Sequence, residues 1–134
     1  MDAKHDLLFV YGTLLFAENQ FAQYLNAHST FYKKARFKGK LYNIGHYPGA
    51  ILHTRAPGYV YGSIYKLDDP DEVFSNLDGY EGISAENPLP HEYTRELVEM
   101  ETDEGPLTSW VYLYNWPVDE DSLIVSGDYL KFKL

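Results

Sequence analysis

The chain has 134 residues, 45% of them hydrophobic and 23% charged, with a net charge of −9. That composition fits one globular domain over residues 1–134, and the negative balance argues against nucleic acid or an anionic membrane surface as a partner. No cysteine is present, which excludes disulfides, thiolate nucleophiles and cysteine-based zinc or iron–sulfur sites.

No window approaches the roughly 18 apolar residues that a membrane span needs. The N-terminal stretch Met1 to Asp6 lacks a cationic region followed by a long apolar one, so a cytoplasmic location is the expectation. Leu7 to Tyr11 is a short apolar run ended by Gly12 and reads as a buried strand. Asn19 to His28 carries Phe21, Ala22 and Leu25 on one helical stripe. Ser29 to Gly45 alternates Phe31, Ala35, Phe37 and Leu41 with Lys33, Lys34, Arg36, Lys38 and Lys40, which hold nearly half of the chain's 11 cations. Alternation of this kind predicts a half-exposed or edge strand, a simpler account than a nucleic-acid contact.

Gly45-His46-Tyr47-Pro48-Gly49 reads as a turn cluster that breaks the strand, with a new strand beginning at Ile51-Leu52. After the turn at Ala56-Pro57-Gly58, Tyr59 to Leu67 is a strand with Val60, Gly62 and Ile64 on one face. Gly62 in mid-strand predicts close backbone packing or a bulge. Asp69-Pro70-Asp71-Glu72 is a helix start, with Asp69 as N-cap and Pro70 at the first helical position. The loop spacing of a calcium-binding EF-hand is absent. Val73, Phe74 and Leu77 form the buried stripe, and Gly79 is the expected stop. Ile83 to Pro90 reads as a loop. His91 to Thr102 and Leu107 to Trp116, joined through Asp103-Glu104-Gly105-Pro106, form a hairpin. The tail from Pro117 reads as a short helix or turn. The expected fold is α+β: a small mixed, mostly antiparallel, barrel-like sheet with two or three short helices.

Little standard chemistry survives inspection. The five histidines show no HxH or HExxH pairing, and there is no G-x-S-x-G elbow, P-loop or G-x-G-x-x-G run. Two features remain. The turn through Gly12-Thr13-Leu14 offers successive backbone N–H groups and a hydroxyl, able to form an anion-binding concavity. Glu81 follows an expected helix C-terminus, where the dipole disfavours an ionised carboxylate, and partial burial beside Leu77 and Tyr80 would raise its pKa further. Each feature alone is more simply explained as an ordinary turn and a solvated acid.

Together with their neighbours they resemble the γ-glutamylcyclotransferase-like family. Phe9-Val10-Tyr11-Gly12-Thr13-Leu14 looks like its FVYGTL block. Gly39-Lys40-Leu41-Tyr42 with Gly45 to Ala50 looks like the second block, and Val60 to Tyr65 resembles the V-x-G-E-x-Y strand with Ser63 in place of Glu. Leu77-Asp78-Gly79-Tyr80-Glu81-Gly82 resembles LDxxEG, Tyr93-Thr94-Arg95 matches YxR, and Tyr112-Leu113-Tyr114 matches the tyrosine-bearing strand. Ser126-Gly127-Asp128-Tyr129 resembles a C-terminal SGDW.

The resemblance implies conversion of a γ-glutamyl amine or amide to 5-oxoproline, an acyltransferase or lyase type of reaction that calls for no metal or cofactor. By position it makes Glu81 the acid–base residue and places Tyr11, Gly12, Thr13 and Leu14 along the substrate site, with Tyr112 as a pocket tyrosine. The implied partner is a small γ-glutamyl substrate, and a homodimer is compatible with it. Two other readings stay open on the residues themselves: a module that binds an amino-acid-like ligand without turnover, and a γ-glutamyl transfer or hydrolysis on the same site.

Overall fold

The computed structural model describes residues 6–11, 20–44, 47–80 and 90–129. The strands are β1 (Leu7–Val10), β2 (Ser29–Asn43), β3 (Pro48–Leu52), β4 (Tyr59–Leu67), β5 (Tyr93–Thr102) and β6 (Gly105–Tyr114). Two α-helices, α1 (Gln20–Ala27) and α2 (Pro70–Tyr80), and a 3₁₀ turn at Glu120–Ser122 complete the described elements.

The strands follow the order β3-β2-β4-β1-β6-β5, and a further pairing of β2 with β5 closes the sheet. Five strands thus form a closed barrel, with β3 added beside β2. The β1–β6 pair is parallel and every other pair antiparallel. The mixed, mostly antiparallel barrel expected from the sequence is therefore present.

Period-two alternation divides β1, β4, β5 and β6 between two cores, while β2 contributes to the interior alone. Phe9 on β1 and Tyr11 just after it, Phe37 on β2, Val60 and Ile64 on β4, Val98 and Met100 on β5, and Val111 and Leu113 on β6 fill the interior. The outward residues Leu8, Val10, Leu67, Tyr93 and Tyr112 instead pack with Leu25 of α1 and Val73, Phe74 and Leu77 of α2. So small a barrel has room inside only for side chains. The tail closes it: the Ile124 N–H donates to Leu41 O at 2.7 Å, the Tyr61 N–H donates to Gly127 O at 2.9 Å, and Tyr129 is buried in the interior.

Gly62 sits on β4 beside the end of β1. A Cβ there would run into the Val10 carbonyl oxygen and lie 2.7 Å from the Phe9 ring, which is the close approach its mid-strand position predicts. The start of α2 also follows expectation. The Glu72 N–H donates to Asp69 Oδ1 at 3.3 Å, and Val73, Phe74 and Leu77 are all buried.

The cationic strand β2 is half-exposed, one of the two alternatives its alternation allows, and not an edge, since it pairs with β3, β4 and β5. Three other expectations need correction, the first on this strand. Phe31 does not join its inward face. A register shift between Phe31 and Lys33 turns the alternation over, so Phe31 pairs with Tyr65 and stays 51% exposed. Pro48 and Gly49 belong to β3, opposite Asn43 and Tyr42, rather than to a turn. Finally, α2 does not stop at Gly79 but continues through Tyr80. Among the described residues no helix is long and apolar enough to cross a membrane.

Candidate active site

Of the residues singled out by the sequence, Tyr11 and Tyr112 are described; Gly12, Thr13, Leu14 and Glu81 lie outside the described residues. The two tyrosines are neighbours because β1 and β6 run parallel, with Phe9 opposite Val111. Tyr11 directs its ring into the barrel, where its hydroxyl donates to the Tyr112 carbonyl oxygen at 2.6 Å and accepts from the Ala50 N–H at 3.3 Å. One phenol thus ties the end of β1 to β6 and β3. Gly12 is the next residue along the chain.

Tyr112 sends its own ring to the other side of the wall, among the helix-facing residues. Its hydroxyl donates to Asp78 Oδ1 at 2.6 Å. Asp78 stands in the last turn of α2, with only Gly79 and Tyr80 between it and Glu81. Tyr11 and Asp78 are thus both bonded to Tyr112, the first to its carbonyl on the interior side of the wall and the second to its hydroxyl on the helix side.

Asp78 and Arg95 are the residues sequence reasoning missed. Both occur in the quoted blocks, but neither was given a role. Arg95 Nε donates to Asp78 Oδ1 at 2.9 Å and Nη2 to Oδ2 at 3.1 Å. The guanidinium lies 4.1 Å from the Phe74 ring centre and 4.6 Å from that of Trp110. A local signal existed: Asp78 follows Phe74 at the i, i+4 spacing, which puts a carboxylate on the buried stripe and calls for a buried donor.

A wall of aromatic side chains borders the same end of the barrel. Tyr93 donates its hydroxyl to Pro48 O at 2.7 Å, and its ring meets that of Tyr114 edge-on at 5.4 Å. Gly49 faces Tyr114 so closely that a Cβ would come within 2.7 Å of the ring. Burial pushes the Tyr114 phenol up, and the nearby Glu92 carboxylate adds to the shift, so this ring stays neutral. Trp116 Nε1 donates to Pro90 O at 3.0 Å.

An open groove of about 580 Å³ lies elsewhere, bordered by Phe31, Tyr32, Lys34, Tyr61 and Thr102. It sits at the far end of β5 from Arg95, roughly 20 Å away at the rise of a strand. It contains neither Tyr11 nor Asp78.

Comparison with known proteins agrees with this fold. Residues 8–131 match the family described as "Gamma-glutamyl cyclotransferase, AIG2-like". The gamma-glutamylcyclotransferase family protein YtfP of Escherichia coli (strain K12) is 32% identical over 130 residues, covering 92% of this chain and 95% of that protein. A putative gamma-glutamylcyclotransferase of Vibrio cholerae is 33% identical over 125 residues, covering 92% of this chain and 94% of its own. Among solved structures, YkqA of Bacillus subtilis superposes with a TM-score of 0.72 at 29% identity; 97% of this chain is covered, but it spans only 41% of YkqA. An AIG2-like protein from Mus musculus shares the fold, with a TM-score of 0.67 at 21% identity over 88% of this chain and 82% of that one. With a fold, an ordered set of sequence blocks and a family match over residues 8–131 in agreement, the chain belongs to the gamma-glutamyl cyclotransferase, AIG2-like family.

Proposed function

We propose that this protein converts a γ-glutamyl amine or amide to 5-oxoproline and the free amine, with Glu81 as the proton carrier. The observation that carries the reading is the convergence on Tyr112. The chain entering Gly12-Thr13-Leu14 and the helix leading to Glu81 are both hydrogen-bonded to that one residue. Family membership over residues 8–131 supports the same reaction class.

The chemistry asks little of the protein. The substrate's own α-amino nitrogen attacks its γ-carbonyl carbon and closes a five-membered lactam. The protein must hold the substrate curled, and such intramolecular attack reaches effective molarities of about 10⁵–10⁸ M. Glu81 accepts a proton from the α-ammonium, which frees the nitrogen lone pair. After ring closure the same carboxyl group returns that proton to the leaving nitrogen, the original C–N bond breaks, and the ring nitrogen's remaining extra proton passes to the released amine, which departs as its ammonium form. Backbone N–H groups of the Tyr11–Leu14 turn supply the hydrogen bonds for the oxyanion formed in between. Tyr112 acts in this scheme as a fixed wall, since its hydroxyl is already given to Asp78.

The test is mass spectrometry of products from a γ-glutamyl panel containing γ-glutamyl amino acids, glutathione and γ-glutamyl-ε-lysine. The expected result is 5-oxoproline and free amine in equal amounts from at least one substrate. Intact ligand recovered after saturable binding would instead identify a binding protein, and free glutamate would identify a hydrolase.

A further inference from the structure

We infer that Arg95 is a positioning residue: with Tyr112 it clamps the Asp78 carboxylate and thereby fixes the end of α2 from which the chain enters Glu81. The catalytic half of this inference rests on the function proposed above.

Sequence physics makes the end of α2 weak. Asp78 and Gly79 are both poor helix formers, and an anionic side chain in the last turn opposes the helix dipole. No basic residue lies in that turn to offset it. Compensation comes from the sheet instead. Arg95 and Tyr112 are directly opposite each other in the β5–β6 register, so one cross-strand pair presents three donors to a single carboxylate. Oδ1 accepts from Arg95 Nε at 2.9 Å and from the Tyr112 hydroxyl at 2.6 Å, and Oδ2 accepts from Arg95 Nη2 at 3.1 Å.

Both charged side chains are largely withdrawn from solvent, at 23% exposure for Arg95 and 22% for Asp78. The Arg95 guanidinium is restrained as well by the rings of Phe74 and Trp110, which themselves meet edge-on at 5.8 Å. A planar fork bound at two points and packed on aromatic rings sets direction as well as distance. Hydrophobic packing by Val73, Phe74 and Leu77 already holds the body of α2 against the barrel. What the clamp adds is control of the helix's final turn.

The test compares the parent with Arg95→Lys, which keeps the charge and loses the fork, and Tyr112→Phe, which loses one hydrogen bond. Val60→Ala, in the barrel interior, lowers stability without touching the clamp and serves as control. In Arg95→Lys, amide hydrogen exchange over the last turn of α2 is expected to accelerate about tenfold or more. Its kcat for 5-oxoproline release should fall about tenfold per folded molecule while KM stays within about twofold. Tyr112→Phe should show smaller changes in the same direction, and Val60→Ala should show neither. Unchanged exchange in Arg95→Lys overturns the clamp. Faster exchange with parental kcat in an active enzyme overturns the positioning role. Should the parent release no 5-oxoproline from any substrate, the proposed function fails, and the exchange measurement still decides whether the clamp exists.

Discussion

Glu81→Gln is expected to lower kcat for 5-oxoproline release by about 10²–10⁴-fold, the range of general acid–base catalysis. Glutamine matches glutamate in size and can still hydrogen-bond to a substrate ammonium. It cannot take that proton, nor deliver one to the leaving nitrogen. KM should therefore change far less than kcat, because the loss falls on the transition state rather than on the bound substrate. The pH dependence has a definite sign. A base works in its ionised form, so parental kcat/KM should rise as pH rises through the Glu81 pKa, and the variant should lack that limb. Product measurement by mass spectrometry, with urea unfolding to show an unchanged fold, checks this. A variant within about threefold of the parent would remove Glu81 from the mechanism.

Phe9→Ala is expected to cost about 3–5 kcal/mol of stability, the range for truncating a buried aromatic side chain. Phe9 is 1% exposed in the barrel interior, with its ring 5.4 Å from that of Phe37 in an edge-on arrangement and 6.3 Å from that of Tyr11. It also covers Gly62, so its loss opens a void on both sides. The strands around it are tied into a closed sheet and cannot collapse far into that void. A fall in the urea midpoint that, multiplied by an unchanged m-value, gives that loss would confirm the expectation, whereas a loss below about 1 kcal/mol would mean that the wall relaxes. Because Phe9 is two residues before Tyr11, the variant should also weaken the junction at Tyr112.

What the sequence made legible was local. The Asp69 cap and the Val73-Phe74-Leu77 stripe each follow from residues within a few positions of one another and form as expected; the β5–β6 hairpin forms too, but Gly105 and Pro106 belong to β6 rather than to its turn. The unread features depend on partners far along the chain. Nothing around Phe31 announces that the strand alternation turns over before Lys33. Pro48 and Gly49 enter β3 because they lie across from Asn43 and Tyr42, and Gly49 leaves room for the Tyr114 ring. Gly79 stays helical in a turn anchored by the Asp78–Arg95 pair, which joins residues 17 apart in sequence. The candidate site shows the same division. Tyr11 enters the site through the family resemblance, and its hydrogen bond reaches across 101 residues to Tyr112. Asp78 gained a role only once the strand beneath α2 was known.

The central claim is that the substrate's own amine closes the ring and water does not enter. Reacting a γ-glutamyl substrate labelled with ¹⁵N at the α-amino group in H₂¹⁸O tests it directly. The account predicts 5-oxoproline carrying ¹⁵N in its ring and no ¹⁸O. Glutamate bearing ¹⁸O in its γ-carboxyl group would contradict it.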